Sequence, residues 1–189
     1  VEESSPESKL YMIVDNDVVR TFNVRLAVNK VDYFVPVDLS GYADKHISFN
    51  FQLAPESALC WKEMKLSDQF DSSNREKFRP AYHFSPAWGW MNDPNGLVYA
   101  EGVYHLYFQH NPFDVQWENM SWGHAVSRDL LHWEQKDDVL FPDETGTMFS
   151  GSGIVNDRKM DLRQIEDRAA MARKKAKGNM MNNVLYYQE

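Results

Sequence analysis

The sequence predicts a mainly β protein, in which a small antiparallel sandwich is followed by a propeller-type blade and a C-terminal helix. Three observations support this prediction. Apolar and polar residues alternate with period two in two short stretches before residue 70. From residue 79 onward, an aromatic-rich segment carries further strand signals separated by hairpin turns. The last 32 residues instead repeat apolar side chains at helical spacing.

The N-terminal part contains five short strand signals separated by turn residues. We expect strands at residues 10–15, 22–28, 32–39, 47–53 and 58–66. Short strands at this even spacing are typical of an antiparallel sandwich. We therefore assign a polar tail to residues 1–9, the sandwich to residues 10–72 and a polar linker to residues 73–78.

The second part, residues 79–157, continues the strand pattern. The stretch 96–109 predicts a hairpin whose turn contains Glu101-Gly102. Residues 121–127 predict another strand, and residues 127–135 a tight turn that leads into one more. Repeated short strands of this kind are typical of a propeller blade.

The final segment, residues 158–189, differs from the rest in charge and periodicity. It contains eight basic and four acidic residues, a net charge of +4, whereas residues 1–157 carry −12. Helical spacing relates its apolar side chains, and Gly178-Asn179 supplies a stop signal. A basic helix can bind a membrane surface or an acidic partner, but this apolar face is mostly alanine, which favours a helix docked on its own protein. These apolar residues are Leu162, Ile165, Ala169, Ala172 and Ala176.

The composition restricts the possible functions. With 43% apolar and 25% charged residues, the chain matches a soluble globular protein. A formal net charge of −8 argues against a nucleic-acid partner, because phosphate contacts require a basic face. We predict no membrane span, since no apolar run approaches the roughly 20 residues that a transmembrane helix needs. The single cysteine, Cys60, lies in an apolar stretch and is predicted to be a buried, unreactive thiol.

Five histidines raise the question of a metal site. None of them forms the i, i+4 pair on a helix that zinc enzymes use, so we interpret them as structural histidines on strands and predict no metal and no cofactor. They are His83, His105, His110, His124 and His132.

One acidic side chain, Asp93, stands out in the stretch from residue 83 to residue 99. Pro94 disfavours helical backbone at the preceding residue, so we expect Asp93 to be extended, with a tight turn at Asn95-Gly96 directly behind it. A carboxylate, an amide and aromatic rings together are typical of a sugar site, where the carboxylate can attack an anomeric carbon. For an isolated Asn-Asp-Pro-Asn-Gly, the alternative is an Asx turn with a structural aspartate. The aromatic residues that can form an apolar wall are Tyr82, Phe84, Trp88 and Trp90.

Five motifs follow one another in the second part of the chain: WMNDPNG at 90–96, YHLYFQHNP at 104–112, WENMSWGHAVS at 117–127, DLLHW at 129–133 and FSGS at 149–152. With these motifs in this order, residues 79–157 resemble the start of the catalytic domain of glycoside hydrolase family 32, the invertase, inulinase and levanase group. The resemblance implies a five-bladed propeller, of which these residues would form little more than the first blade. The strands before residue 72 resemble, more weakly, a small sandwich domain that precedes the catalytic domain in some gut-bacterial members.

This resemblance implies a set of site residues. By its position in the first motif, Asp93 resembles the catalytic nucleophile of retaining β-fructofuranoside hydrolysis, which proceeds through a covalent fructosyl-enzyme intermediate. Asn92 and Gln109 resemble hydrogen-bonding contacts to the terminal fructosyl unit. The positions that resemble further pocket lining are Trp117, Phe149 and Ser150, with Trp90 in the apolar wall.

The chain departs from the family at the other two catalytic carboxylates. The family's Arg-Asp-Pro motif holds a transition-state-stabilising aspartate, and its Glu-Cys motif holds the acid/base glutamate. Here Arg128-Asp129 is followed by Leu130, and Cys60 is preceded by Leu59. We therefore expect the gene to encode a fructan-acting glycosidase, whereas the 189-residue chain, truncated or altered after Asp157, has no turnover by itself.

Two other functions stay open at this point. One is a non-catalytic carbohydrate-binding or interaction protein, and the other is a fructosyltransferase, in which a sugar hydroxyl intercepts the same covalent intermediate. The expected partner is a fructan or sucrose. The polar start of the chain favours an extracytoplasmic location in a bacterium. The edges of an incomplete propeller also predict self-association.

Overall fold

The structure, a computed structural model, describes residues 1–52, 54–69, 77–143 and 146–155, together with the backbone of 183–187. Strands dominate these residues, so the predicted mainly β class is confirmed. The helical segments described are a 3₁₀ turn at Ser40–Tyr42 and the short helix α1, Cys60–Glu63. The strands are β1 Ser8–Val14, β2 Asp17–Val24, β3 Ile47–Phe51, β4 Trp90–Ala100, β5 Val103–Asn111, β6 Ser121–Ser127, β7 Trp133–Leu140, β8 Gly151–Val155 and β9 Asn183–Tyr187.

The N-terminal sheet has three antiparallel strands in the order β2-β1-β3. A two-residue turn joins β1 to β2, and its residues Asp15 and Asn16 have φ angles of 49° and 78°. Asp and Asn tolerate this left-handed conformation, which matches the twist of a hairpin. The strands predicted at 10–15 and 47–53 are confirmed as β1 and β3. The strand predicted at 22–28 is instead β2, which begins earlier, at Asp17, and ends at Val24.

The strands predicted at 32–39 and 58–66 are wrong. Residues 32–39 form no strand: Pro36 has no N–H to donate to a ladder, and Val35 and Val37 pack on the core instead. Residues 58–66 contain helix α1, because a short apolar run alone does not distinguish a strand from a buried helical turn. Cys60 is 8% exposed and packs with Ala27 and Ala58, as predicted for a buried thiol.

The core beneath the N-terminal sheet is shared with the second half of the chain. The buried side chains of Leu10, Phe22 and Val24 form one cluster with Phe113. The rings of Phe22 and Phe113 have their centroids 4.2 Å apart. Phe141 packs against the same cluster. Residues on both sides of the predicted linker therefore build one apolar core.

The second sheet is the propeller-type blade, with four antiparallel strands in the order β4-β5-β6-β7. The turn between β4 and β5 is Glu101-Gly102, with φ angles of 48° and 77°, so the predicted hairpin is confirmed. The strand predicted at 121–127 is confirmed as β6. In the tight turn before β7, Asp129 accepts hydrogen bonds from the backbone N–H groups of Leu131 and His132.

Strand β8 pairs in parallel with β9 and lies against β4 of the blade. The helix predicted between residues 158 and 178 lies outside the described residues, and the five described residues beyond it form strand β9. In the part of the chain that the structure describes, no helix has the length and apolar character needed to span a bilayer.

Candidate active site

A β-bulge in strand β4 places the Asp93 side chain. The ladder with β5 shifts register between Met91 and Pro94. The two intervening residues, Asn92 and Asp93, therefore lie opposite one residue of β5, Gln109. A bulge of this kind bends the strand and re-aims a side chain. The prediction of an extended Asp93 is confirmed, since it lies within β4.

The carboxylate of Asp93 is exposed and contacts a distant segment of the chain. Its Oδ2 atom accepts a hydrogen bond of 2.7 Å from the hydroxyl of Ser150, which is 57 residues away. An Asx turn would instead tie the carboxylate to backbone N–H groups of its own loop. The observed geometry thus favours a carboxylate that is accessible to a ligand.

The tight turn predicted at Asn95-Gly96 is wrong, because β4 continues through both residues to Ala100. Gly96 has a different role. A Cβ atom at this position would lie 2.6 Å from the backbone nitrogen of Gly153. The glycine therefore permits β8 to approach β4 closely, and this approach brings Ser150, directly before β8, to Asp93.

Asn95 is a buried polar residue that the sequence analysis missed. It is 3% exposed and follows Pro94, at a second register shift in β4. In the amide orientation that satisfies the neighbouring N–H donors, the Asn95 oxygen lies 3.0 Å from Gln109 Nε2 and 3.0 Å from Trp122 Nε1. Gln109 is itself only 2% exposed. The predicted substrate contact thus lies beneath the bulge, bonded to Asn95, where it supports the strand that carries Asp93.

A buried ion pair fixes the backbone before the bulge. His110 is fully buried and lies 2.8 Å from Asp138 through Nδ1, while Nε2 donates a hydrogen bond of 2.9 Å to the carbonyl of Trp88. Burial alone would lower the pKa of His110, but the Asp138 carboxylate and the Trp88 carbonyl raise it above its ordinary value. With an acceptor at each ring nitrogen, the imidazolium form is favoured.

Two other histidines pair on neighbouring strands of the blade. His105 Nδ1 and His124 Nε2 are 3.0 Å apart, and their rings lie at an interplanar angle of 10°. Burial, together with the charge of His105, lowers the pKa of His124 to about 4. These contacts agree with the interpretation of structural, strand-borne histidines for His105 and His124, whereas His83 and His132 lie in bends outside the strands. Among the described residues, no group of three metal-ligating side chains is placed to hold an ion.

A pocket of about 540 Å³ lies beside the bulge. Phe84, Trp88 and Trp90 line it together with Asn92, so three of the four predicted wall residues meet here. The oxygen of Asn92 accepts a hydrogen bond of 3.2 Å from the Trp90 indole, and its amide NH₂ group is a donor that a ligand acceptor could use. The fourth predicted wall residue, Tyr82, is 68% exposed, and its ring contacts the ring of His83 instead.

The remaining predicted site residues lie outside this pocket. Trp117 is 56% exposed on the loop between β5 and β6, and Phe149 is 53% exposed directly before Ser150. The backbone carbonyl of Phe149 accepts a hydrogen bond from the buried Trp122 indole. The structure therefore joins Asp93 to Ser150, and Trp90 to Asn92, while Trp117 stands on a separate loop.

Two family models match the chain. Residues 1–82 match a domain of unknown function, DUF4980, and residues 83–186, more than half of the chain, match the glycosyl hydrolases family 32 N-terminal domain. The levanase of Bacillus subtilis is 55% identical over 91 residues, which are 48% of this chain and 13% of the levanase. The extracellular exo-inulinase of Aspergillus awamori is 51% identical over 109 residues, which are 55% of this chain and 20% of the inulinase.

Among solved structures, the exo-inulinase of Aspergillus awamori matches with a TM-score of 0.39 and 51% identity, over 42% of this chain and 16% of that chain. The chain spans between 13% and 20% of the length of the two curated relatives. On the match of the family model to more than half of its residues, the chain belongs to glycoside hydrolase family 32 and carries residues of the family's N-terminal, β-propeller domain.

Proposed function

We propose that the chain is the N-terminal part of a retaining β-fructofuranosidase, with Asp93 as its nucleophile. The observation that carries this proposal is the exposed Asp93 carboxylate, aimed by a bulge and held through one oxygen by Ser150. The other oxygen, Oδ1, is the atom that would attack C2 of a terminal fructosyl unit. The amide of Asn92, the residue before Asp93 in the chain, and the Trp90 ring, whose indole is bonded to that amide, would bind a sugar hydroxyl and a sugar face.

Hydrolysis needs a second carboxyl group, about 5 to 5.5 Å from the nucleophile, to protonate the leaving oxygen. In the family this group lies in a Glu-Cys motif, which the 189 residues do not contain. We infer that the chain alone forms the nucleophile half of the site and does not turn over. In the complete enzyme, water would release fructose from the intermediate, and a sugar hydroxyl in its place would make the enzyme a transferase.

Fructans are the favoured substrate class, because the two relatives reported above are a levanase and an exo-inulinase. The second of these is described as extracellular, which supports the extracytoplasmic location expected from the sequence. A second candidate function is carbohydrate binding without cleavage. The observation that favours it is the exposure of two aromatic side chains, Trp117 and Phe149, in a chain without the acid/base motif.

The test uses β-fructosyl fluoride, whose leaving group needs no general acid. The C2–F bond breaks as a bond forms between C2 and Asp93, and fluoride departs with the electron pair without requiring a proton. We expect intact mass spectrometry to show a gain of one fructosyl residue, mapped to the peptide that contains Asp93. Asp93→Asn should abolish the label. Asp17→Asn, at an exposed aspartate in strand β2, should retain it.

The outcomes separate the two functions. Labelling that persists in Asp93→Asn, or is absent from the unmodified chain, would overturn the assignment of the nucleophile. If the chain is not labelled but binds a fructan oligosaccharide saturably in calorimetry, and Asp93→Asn binds equally well, the carbohydrate-binding function is supported instead.

A further inference from the structure

The loop that carries Trp117 is attached to the N-terminal sheet. This segment, the Trp117 loop (residues 112–120), joins β5 to β6 of the blade. Its neighbour in space is the end of β2, around Asn23. The contact joins the region matched by DUF4980 to the region matched by the glycoside hydrolase domain.

Asn119 forms a two-point bridge to the backbone of Asn23. Its Oδ1 atom accepts a hydrogen bond of 2.9 Å from the Asn23 N–H, and its Nδ2 atom donates one of 2.7 Å to the Asn23 carbonyl. An amide side chain that bonds both groups of one residue reproduces the pairing of a sheet strand. Asn119 also has a φ of 44°, a left-handed conformation that Asn tolerates better than most residues.

The side chain of Asn23 holds the next position of the loop. Its Nδ2 atom donates a hydrogen bond to Oε1 of Glu118, and because the acceptor is a carboxylate, this bond is charge-assisted. Asn23 thus engages both residues that follow Trp117. Two residues 96 positions apart, Asn23 and Asn119, are fixed against each other.

The blade holds the other side of Trp117. Asn111, at the end of β5, is fully buried, and its Nδ2 atom donates a hydrogen bond of 2.8 Å to the carbonyl of Gln116. Its Oδ1 atom accepts hydrogen bonds from the N–H of Phe113 and from Nδ2 of Asn119. Trp117 is therefore flanked by one residue held from the blade and by two held from the N-terminal sheet.

Two further contacts come from β2 and the residue directly after it. Arg25 Nε donates a hydrogen bond of 2.8 Å to Asp114, whose side chain is 5% exposed. The ring of Phe22 packs on Phe113 in the shared core. The Trp117 loop is thus fixed at its start as well as at its end.

We propose that Asn23 is a positioning residue for Trp117, so that the N-terminal sheet completes the sugar pocket of the blade. This inference rests on the proposed function and on the resemblance of Trp117 to a pocket-lining residue: the Trp117 loop reaches the pocket beside the bulge through Val115, and Trp117, which lies outside that pocket, would extend it. Asn23 does not touch the sugar: it acts through Glu118 and Asn119, which set the backbone on which Trp117 stands. The N-terminal sheet thereby influences how well a fructosyl unit binds, while the chemistry remains with Asp93.

The first measurement follows Trp117 without any ligand. The chain is labelled with 5-fluorotryptophan, and Trp117→Phe assigns the Trp117 signal in the ¹⁹F NMR spectrum. We expect Asn23→Ala to shift or broaden that signal and to leave the signal of the buried Trp122 unchanged. Asn50→Ala, at an exposed asparagine of β3, is the matched control and should leave the Trp117 signal in place.

The second measurement is the rate of labelling by β-fructosyl fluoride at increasing concentration. We expect Asn23→Ala to raise the half-saturating concentration about three- to tenfold, as for the loss of one hydrogen bond, with the maximal rate within about twofold of the unmodified chain. Glu118→Gln keeps an acceptor for Asn23 and should behave like the unmodified chain. Glu118→Ala should reproduce the effect of Asn23→Ala, and the double variant should add little more.

These measurements distinguish the two proposals. An unchanged Trp117 signal in Asn23→Ala overturns the positioning role, whatever the labelling shows. A shifted signal with an unchanged half-saturating concentration also overturns it, because the moved loop would not belong to the pocket. A shifted signal in a chain that is never labelled removes the proposed function, and with it the link to sugar binding, while the attachment of the loop stands. If Asn23→Ala loses labelling only in proportion to its loss of folded protein, as measured by urea denaturation, Asn23 has a structural role and not a positioning role.

Discussion

Gly96 and Gly153 lie so close together that a Cβ atom on Gly96 would be 2.6 Å from the backbone nitrogen of Gly153. A Cβ atom on Gly153 would instead meet Cγ2 of Val98 at 2.8 Å, and that side chain can rotate away. The two glycines therefore differ in what they tolerate, although they belong to the same contact between β4 and β8.

We expect Gly96→Ala to lower the free energy of unfolding by about 1 to 3 kcal/mol, the usual cost of overpacking, because backbone must move. Gly153→Ala should cost less. Gly41→Ala, where the added atom meets nothing within 4 Å, is the control and should stay within about 0.5 kcal/mol of the unmodified chain. Urea denaturation gives the order, and equal effects of all three would show that the close approach is not maintained in solution.

The hydrogen bond between Ser150 and Asp93 leads to a second prediction. Ser150→Ala should slow labelling by β-fructosyl fluoride about tenfold, corresponding to the loss of one partly exposed charge-assisted hydrogen bond. The carboxylate would then sample orientations that do not face the sugar. Ser152→Ala, at an exposed serine of β8, the strand directly after Ser150, serves as the control. A labelling rate that is the same for both variants would show that Ser150 does not orient the carboxylate.

The ion pair of His110 and Asp138 predicts a dependence of stability on pH. Because the pKa of His110 is raised in the folded state, its contribution is fully present below the ordinary histidine pKa of about 6.5. The contribution is lost as the pH rises through the higher pKa of the folded state. The free energy of unfolding, measured in urea from pH 6 to pH 9, should therefore fall with rising pH.

Asp138→Asn removes the charge that holds the proton on His110, so the decline with pH should shrink in this variant. His46→Gln, at an exposed histidine, is the control and should retain the decline. If Asp138→Asn shows the same pH dependence as the unmodified chain, the ion pair does not carry a proton linked to folding.

Glu2 predicts the opposite sign at acid pH. Its Oε2 atom accepts hydrogen bonds of 2.8 Å from the backbone N–H groups of Val28 and Asn29, and chiefly the Asn29 bond lowers its pKa to about 2. The resulting stability is present above the ordinary glutamate pKa of about 4.3 and is lost as the pH falls toward 2. Glu2→Gln should lose stability at neutral pH and should show less acid dependence in urea titrations. Glu3→Gln, at an exposed neighbour, should change neither property.

Features encoded by adjacent residues could be predicted from the sequence. The turns at Asp15-Asn16 and Glu101-Gly102 need residues that accept positive φ, and both stand where the apolar alternation is interrupted. The extended backbone of Asp93 follows from the proline after it. The two hairpin turns and the extended backbone of Asp93 therefore did not require long-range information, whereas the nucleophile role of Asp93 was predicted from the resemblance of its motif to the family.

Features that depend on distant contacts could not be predicted. The motif around Gly96 has the composition of a turn, but the approach of β8 keeps it in a strand. The apolar run around Cys60 forms a helix that packs in a small second cluster of buried residues. Hydrophobic periodicity alone does not distinguish such a short helix from a strand. The bridge between Asn23 and Asn119 joins residues of unremarkable local pattern, and no spacing rule connects them.

Phe113 and Phe141 fill the apolar layer under a sheet that a different family model describes. A cut at residue 82, between the two regions that the family models match, would expose buried apolar side chains on both pieces. We therefore infer that this boundary does not divide the chain into two independently folding units. We expect the two regions to melt in a single transition. If the N-terminal region were joined to an unrelated hydrolase, the fusion would also have to include these two phenylalanines to cover the sheet.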